Sequence, residues 1–419
     1  MRTLCVLLVL QAVVSFRSVP RILGLVQAQT QAGTGWVPHF TSVINWSLRI
    51  GLGLLRQVAP IDVPWMAIID HSIDVGTKKA LVVLRVPLAA LAQRGAAIRL
   101  ADCQCIGLRI AETVNGATVA QQLTDIFSRA GPPAAITKDC DATLNKGVRL
   151  WMEQAQTSVP VIEDISHVMA SALKAQFEQT AHYQRFTTLA TKAAKALRQT
   201  DLAFLVPPKL RSKGRFLSIG KLARWGEKLL AVLAVKCRAK QGSALARLRT
   251  ALPGFLKLRP FITTFASTAV TVCELMEVLK NKGLNPTTDA QCRQIAARLP
   301  ADSHVKQRLL AWLDRHRAIQ RQLTDRALIV SSDIIESLFG NFKYILERSP
   351  QADMNRTALL LPMLCGNLNP ARLANALEHT SHKDLIAWEK EHIPYTQRKK
   401  RAAFFANNQS QKAGNSSPE

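Results

Sequence analysis

The stretch WMAIID, residues 65–70, runs into HSIDVG, residues 71–76. Five apolar residues, Trp65 to Ile69, end at the carboxylate of Asp70. A short apolar run bounded by polar residues reads as a buried strand. A charge beside a core is costly unless it is paired or coordinated. Asp70 is therefore either a turn former or a metal ligand whose partners lie elsewhere in the chain.

Downstream, ALVVLRV (80–86) and CIGLRIA (105–111) are similar runs, and with the first they predict three strands of an antiparallel meander. VNGATVAQQLTDIFSRAG (114–131) has helical spacing and stops at Gly131-Pro132-Pro133. AAIT (134–137) is a fourth strand leading into Lys138-Asp139, ATLNKGVRLWMEQ (142–154) is a helix, and VPVIEDI (159–165) is a fifth strand. Three strands, helix, strand, helix, strand is an α/β order whose later strands pair in parallel. Residues 167–325 read as all-helical, with turn signals at Pro207-Pro208, Gly242 and Gly283-Leu284-Asn285-Pro286. SDIIESLFGNFKYILE (332–347) is one more helix, capped by Ser332 or Asp333.

Upstream, residues 1–58 read as short helices, the last with Val43, Trp46, Ile50 and Leu54 on one face. They suit either a helix-turn-helix DNA reader or a helical cap on the next domain. TLCVLLVLQAVV after Met1-Arg2 also resembles a signal-peptide core, with Val26-Gln27-Ala28 a weak cleavage match. Arg17 and Arg21 close behind it favour a packed helix instead. No run of 18 uninterrupted apolar residues predicts a membrane span. The expected domains are 1–58, a core from 63–166, a helical insertion over 167–325, completion of the core over 326–390, and a tail over 391–419 that is basic and then disordered.

The chain has 55 Lys+Arg against 29 Asp+Glu, a net charge of +26 over 419 residues. Such a balance attracts polyanions, nucleic acid first among them. From Lys192 to Lys257 there are sixteen basic residues and two acids, Asp201 and Glu227, spread over several expected helices. That pattern predicts a phosphate-backbone surface. The eight cysteines, Cys5, Cys103, Cys105, Cys140, Cys237, Cys273, Cys292 and Cys365, form no CxxC pair, so neither a zinc site nor a disulfide framework is expected.

Three acids stand at comparable points: Asp70 at the end of the first strand, Asp139 after the fourth, and Glu336 on the helix beyond the long helical stretch. Three carboxylates converging on one site suit two divalent metals about 4 Å apart.

At these residues the chain resembles a family. IIDHSIDVGTKKALVVLRV, AAITKDCDATLNKGV and SSDIIESLFGNFK are similar to the three catalytic segments of bacterial insertion-sequence DDE transposases, and the resemblance extends from about 16 to 404. It implies a ribonuclease-H-like α/β core with a mixed five-stranded sheet, an N-terminal helical domain and a large all-α insertion, as in hAT elements. It implies a DNA transposase that cleaves the ends of its element and joins them to target DNA by phosphodiester hydrolysis and transesterification. Asp70, Asp139 and Glu336 would be catalytic and would hold two Mg²⁺ ions, with Mn²⁺ as a substitute; Asp141 is the alternative second acid.

Asp164-Ile165-Ser166-His167 resembles the (Cys/Asp)-x-x-His motif past the last core strand of related families, so Asp164 and His167 are expected to support the site. Lys343, seven residues after Glu336, matches the phosphate-contacting lysine of a Tyr-Arg-Glu-Lys signature whose Tyr and Arg positions hold Ile329 and Ser332 here. In RFLSIGKLARWGEKLL (215–230), Trp225 would stack on a base, beside Arg215, Lys221, Arg224 and Lys228. The implied partners are double-stranded DNA, as terminal repeats and target, and a second copy in a synaptic dimer, in the bacterial cytoplasm at the nucleoid. The competing reading is a decayed or domesticated relative that grips DNA without cutting it.

Overall fold

The computed structural model describes residues 1–30, 36–71, 79–94, 96–209, 215–323, 327–347, 355–393 and 399–406. The segment 72–78 after Asp70 and the tail from 407, expected to be disordered, lie outside them. The chain divides into two compact units. The first comprises Met1–Arg94, Ile98–Ile162 and Ser332–Glu419; the second comprises Gly95–Ala97 and Glu163–Ser331.

In the first unit, three helices, α1 (Arg2–Leu10), α2 (Ser18–Thr30) and α3 (Phe40–Arg56), precede β1 (Trp65–His71) and β2 (Lys79–Pro87). A short helix, α4 (Leu88–Arg94), was not expected from the sequence; it leads to β3 (Gln104–Ala111), α5 (Gly116–Ala130), β4 (Ala135–Lys138), α6 (Ala142–Gln154) and β5 (Val161–Glu163). The sheet order is β3-β2-β1-β4-β5. β1 and β2 pair antiparallel, as do β2 and β3, whereas β1 and β4 run parallel. β1 is thus central, and Trp65 to Ile69 are buried on both of its faces, as an unbroken apolar run requires.

Helix starts and stops follow local chemistry. Asn115 accepts from the Thr118 amide at the start of α5, which ends at Gly131 with φ +81°. Asp141 accepts from the amides of Thr143 and Leu144 at the start of α6. These two helices cover one sheet face: Trp65, Ala67, Ile69, Leu81 and Val83 share a core with Val119, Leu123, Ile126, Leu144 and Val148.

α3 is a core element of the first unit. Val43, Trp46, Ser47, Leu48 and Ile50 through Leu55 are buried. The Arg49 guanidinium donates to the carbonyls of Thr380 and Leu377, and a side chain at Gly51 would collide with the Leu359 carbonyl. α1 packs on α3 and buries Cys5, Val6 and Val9.

The second unit contains α7 (Ile165–Phe177), α8 (Ala181–Leu197), α9 (Ile219–Leu233), α10 (Ala244–Ala251), α11 (Arg259–Lys282), α12 (Pro286–Ala296) and α13 (His304–Leu323). Its core is aromatic: Phe177, Tyr183, Phe186 and Phe261 gather around Phe265. Phe255–Lys282 is long and apolar enough to cross a membrane, although just over half of that window is buried inside the protein. The unit's two ends are tied together, because Ile165 N–H donates to the Val330 carbonyl at 2.9 Å. The chain therefore returns beside the point where it left β5. It then forms α14 (Asp333–Glu347), a 3₁₀ segment (Arg356–Leu364), α15 (Pro370–Glu378) and α16 (His382–His392), all within the first unit.

Candidate active site

The ladder between β1 and β4 pairs Met66 with Ala135, Ala67 with Ile136, Ile68 with Thr137 and Ile69 with Lys138. Continued by one residue, that register sets Asp70 beside Asp139. Adjacent strands lie about 4.8 Å apart, so the two acids are lateral neighbours at the carboxyl ends of parallel strands. Alternation then decides the face. Odd positions of β1 point into the α5–α6 core. Asp70, an even position, points to the opposite face and is only 5% exposed.

α14 packs on β1 and on the 3₁₀ segment. Its buried residues Ile335, Leu338, Phe339, Phe342 and Ile345 are outside the α5–α6 core cluster. The helix that carries Glu336 therefore lies on the Asp70 side of the sheet. Glu336 is in its first turn and is exposed. Gly340 and Lys343 continue the same exposed face, and a side chain at Gly340 would meet open space.

The alternative second acid has another task. Asp141 spends its Oδ1 on the α6 amides at 2.8 and 3.1 Å. Burial alone would raise its carboxyl, but the bonds from Leu144 and Thr143 and the nearby His71 outweigh burial and hold it below the ordinary carboxylate value. Asp139 is half-buried, and its Oδ1 accepts from the Asp141 amide at 2.9 Å.

The donor set consists of carboxylate oxygens, which fits hard divalent cations. Asp70 at the end of β1 and Asp139 one residue past β4 are the carboxylates nearest to this chemistry, and their oxygens are of the type that binds such an ion. Among the described residues, no three His, Cys, Asp or Glu side chains are gathered closely enough to hold a metal. The structure thus brings the two aspartates to adjacent strand ends and leaves Glu336 outside a ready-made cluster.

No protein-family model and no curated protein matches the sequence. Among solved structures, the chain is similar to the Drosophila P element transposase strand transfer complex, with 11% identity, 92% of each chain covered and a TM-score of 0.42. A likeness that distant carries no functional weight.

Asp164 and His167 lie in the second unit, at the start of α7. Asp164 is fully buried and accepts from the amides of Ser166 at 2.6 Å and His167 at 3.4 Å, so it is the helix cap. Its other oxygen lies 3.6 Å from His167 Nδ1 and 3.4 Å from Ser331 Oγ. Together they lock the point where the helical unit begins and ends. Trp312 and His316 of α13 complete that lock: Trp312 Nε1 donates to the Glu163 carbonyl at 2.9 Å, and Glu163 N–H donates to His316 Nε2 at 3.0 Å.

On α9, Lys221, Arg224 and Lys228 are exposed at helical spacing. Arg215 opens a 3₁₀ turn, and its side chain lies outside the described residues. Trp225 is a packing residue: its ring meets Phe186 and Phe255, and its Nε1 donates to the Leu205 carbonyl at 2.9 Å. The bond pins the turn Ala203–Leu205, which presents Phe204 at 78% exposure. Phe204 is thus an exposed aromatic one residue from the carbonyl that Trp225 binds, and Glu227 is exposed on α9 with the cations. Asp201, next to this turn, is matched by Arg247 through two 2.7 Å bonds.

Sequence reasoning passed over His71 and Lys138. His71 follows the odd positions of β1, so alternation would have sent it toward α6. Burial holds its imidazole below the ordinary value, against the pull of Asp141 and Asp139. Lys138 is buried one residue before Asp139, where a lysine side chain is unexpected.

Proposed function

We propose that the chain is a metal-dependent DNA strand-cleaving and strand-transferring enzyme of the DDE transposase kind, on a ribonuclease-H-like core interrupted by an all-helical unit. The observation that carries this reading is the parallel pairing of β1 with β4 up to Ile69 and Lys138, the residues immediately before Asp70 and Asp139, together with the packing of α14 on β1.

Asp70, Asp139 and Glu336 would hold two Mg²⁺ ions, or Mn²⁺ in their place. When bound, the ions supply charge neutralisation at a phosphodiester and activation of the attacking oxygen. The chain's own contribution is position. The β1–β4 ladder fixes the backbone immediately before two of the carboxylates, which would leave little reorganisation for the reacting complex. Glu336 would join them from the first turn of α14. Lys343, two turns along the same exposed face, would meet a phosphate as a point charge.

The cations of the second unit, Lys221, Arg224 and Lys228, would hold double-stranded DNA, the terminal repeats and the target, by its backbone. Two copies of the chain would bring two ends together at the bacterial nucleoid.

One observation favours a second reading, a DNA-binding remnant: Glu336 is exposed and no three-group ligand cluster is assembled among the described residues. The two readings separate when the chain is incubated with labelled duplex spanning the element's end and its flank, with Mg²⁺ or with a chelator. Nicking that requires Mg²⁺ supports the enzyme; retarded but uncut DNA in both supports the remnant.

A further inference from the structure

We propose that Lys138 and Asn145 are positioning residues that hold Asp139 in register with Asp70, an inference that rests on Asp139 being a metal ligand. Lys138 closes β4 and is 2% exposed. Its register partner is Ile69, so its side chain enters the α5–α6 layer, opposite to the Asp70 face. There its Nζ donates to the side-chain carbonyl of Asn145 in α6 and, at 3.1 Å, to the main-chain carbonyl of Asp139.

Asn145 continues the pattern. Its Nδ2 donates to the Cys140 carbonyl at 3.2 Å, and its amide donates to the Asp141 carbonyl at 2.9 Å. The carbonyls of Asp139 and Cys140 are thereby held by the side chains of Lys138 and Asn145, while the Asp141 carbonyl takes the ordinary first helical bond of α6. With the Asp141 amide on Asp139 Oδ1 at 2.9 Å, the turn is fixed at the main chain and at the acid itself. Burying an ammonium group is costly. Here it clamps the main chain next to a carboxylate.

This role has a signature that charge alone reverses. Lys138→Met removes a positive charge close to a cation site, so electrostatics by itself would tighten metal binding. Loss of positioning weakens it. Groups that hold metal ligands in place typically contribute 10- to 100-fold in affinity.

The experiment follows Mn²⁺ binding to the full chain, without DNA, from the paramagnetic resonance signal of the free ion. Wild type is compared with Asp70→Ala, Asp139→Ala, Lys138→Met, Asn145→Ala and the Lys138→Met/Asn145→Ala pair, each with its thermal unfolding curve. The expected result is that Lys138→Met and Asn145→Ala each weaken Mn²⁺ binding about tenfold or more, and that the pair loses less than the product of the two. Asn145 is exposed, so that variant decides the matter if Lys138→Met no longer unfolds cooperatively. Binding that is unchanged or tighter in both single variants, while Asp139→Ala abolishes it, overturns the proposal and leaves the metal site standing. If wild type has no Mn²⁺ site that Asp70→Ala and Asp139→Ala remove, the metal reading falls and the positioning role falls with it.

Discussion

Gly51→Ala should destabilise the sheet-containing unit, and the reason is the burial of α3. In an unobstructed helix, replacing glycine by alanine gains about 0.5–1 kcal/mol, because glycine has more freedom to lose on folding. At Gly51 the added methyl would land on the main-chain carbonyl of Leu359, in the 3₁₀ segment across the interface. A flexible side chain could turn away; a backbone oxygen inside a packed segment cannot. Overpacking of this kind costs about 1–3 kcal/mol, and a backbone collision belongs at the upper end. The net expectation is a loss of about 2 kcal/mol after the helical gain is subtracted. Gly340→Ala is the matched control, because its methyl would meet nothing within 4 Å on the open face of α14. It should gain about 0.5–1 kcal/mol. The two substitutions are chemically identical and should differ by about 3 kcal/mol, roughly a hundredfold in the folding equilibrium. Urea unfolding reads both. If Gly51→Ala is as benign as Gly340→Ala, α3 is not packed against Leu359 and its place in the core is wrong.

Other expectations follow from single contacts. Asp141→Ala should cost about 0.5–2 kcal/mol by removing the cap of α6, seen as a lower urea midpoint, while Mn²⁺ affinity stays within a few-fold of wild type. Phe204→Ala should weaken retention of single-stranded DNA about fivefold or more, since stacking contributes about 1–3 kcal/mol per base, with no change in unfolding; Trp225→Ala should lower the unfolding midpoint instead. His316 is held neutral: burial lowers its pKa, its Nδ1 donates to the Trp312 carbonyl, and its Nε2 accepts from Glu163, whose carboxylate is paired with Arg315. Below about pH 6.5 the unfolded chain takes up a proton that the folded site resists, so this stability is present above that pH and lost as pH falls. Unfolding curves at pH 7.5 and 5.5 should show a smaller loss in His316→Leu than in wild type.

Much of the sheet was legible because its information is local. An unbroken apolar run such as Trp65–Ile69 has few other uses, and α6 spans the stretch 142–154 read as a helix. The neighbourhood of Asp70 and Asp139 follows once the parallel register is known. What was not legible depends on distant partners. The amphipathic face of α3 is the same for a cap, a reading helix or a core helix; the distinguishing signal was Gly51 and Gly53, and it means close approach only because Leu359 and Ala376 are there. Trp225 and Phe204 could not be told apart as packing and exposed aromatics without Phe186 and Phe255, which come from other helices. The partners of Lys138 were nearer, since Asn145 is two turns into the sequence, but nothing local showed that the lysine would be buried.

The account is tested most directly by Mg²⁺-dependent nicking at the element's end by wild type, Asp70→Ala, Asp139→Ala, Glu336→Ala and Asp141→Ala, each first shown to fold and to bind the DNA. It predicts that wild type and Asp141→Ala cut and that the other three bind without cutting. Cutting by Asp70→Ala or Asp139→Ala, or its loss in Asp141→Ala with Asp139→Ala still active, would contradict the site assigned to the ends of β1 and β4.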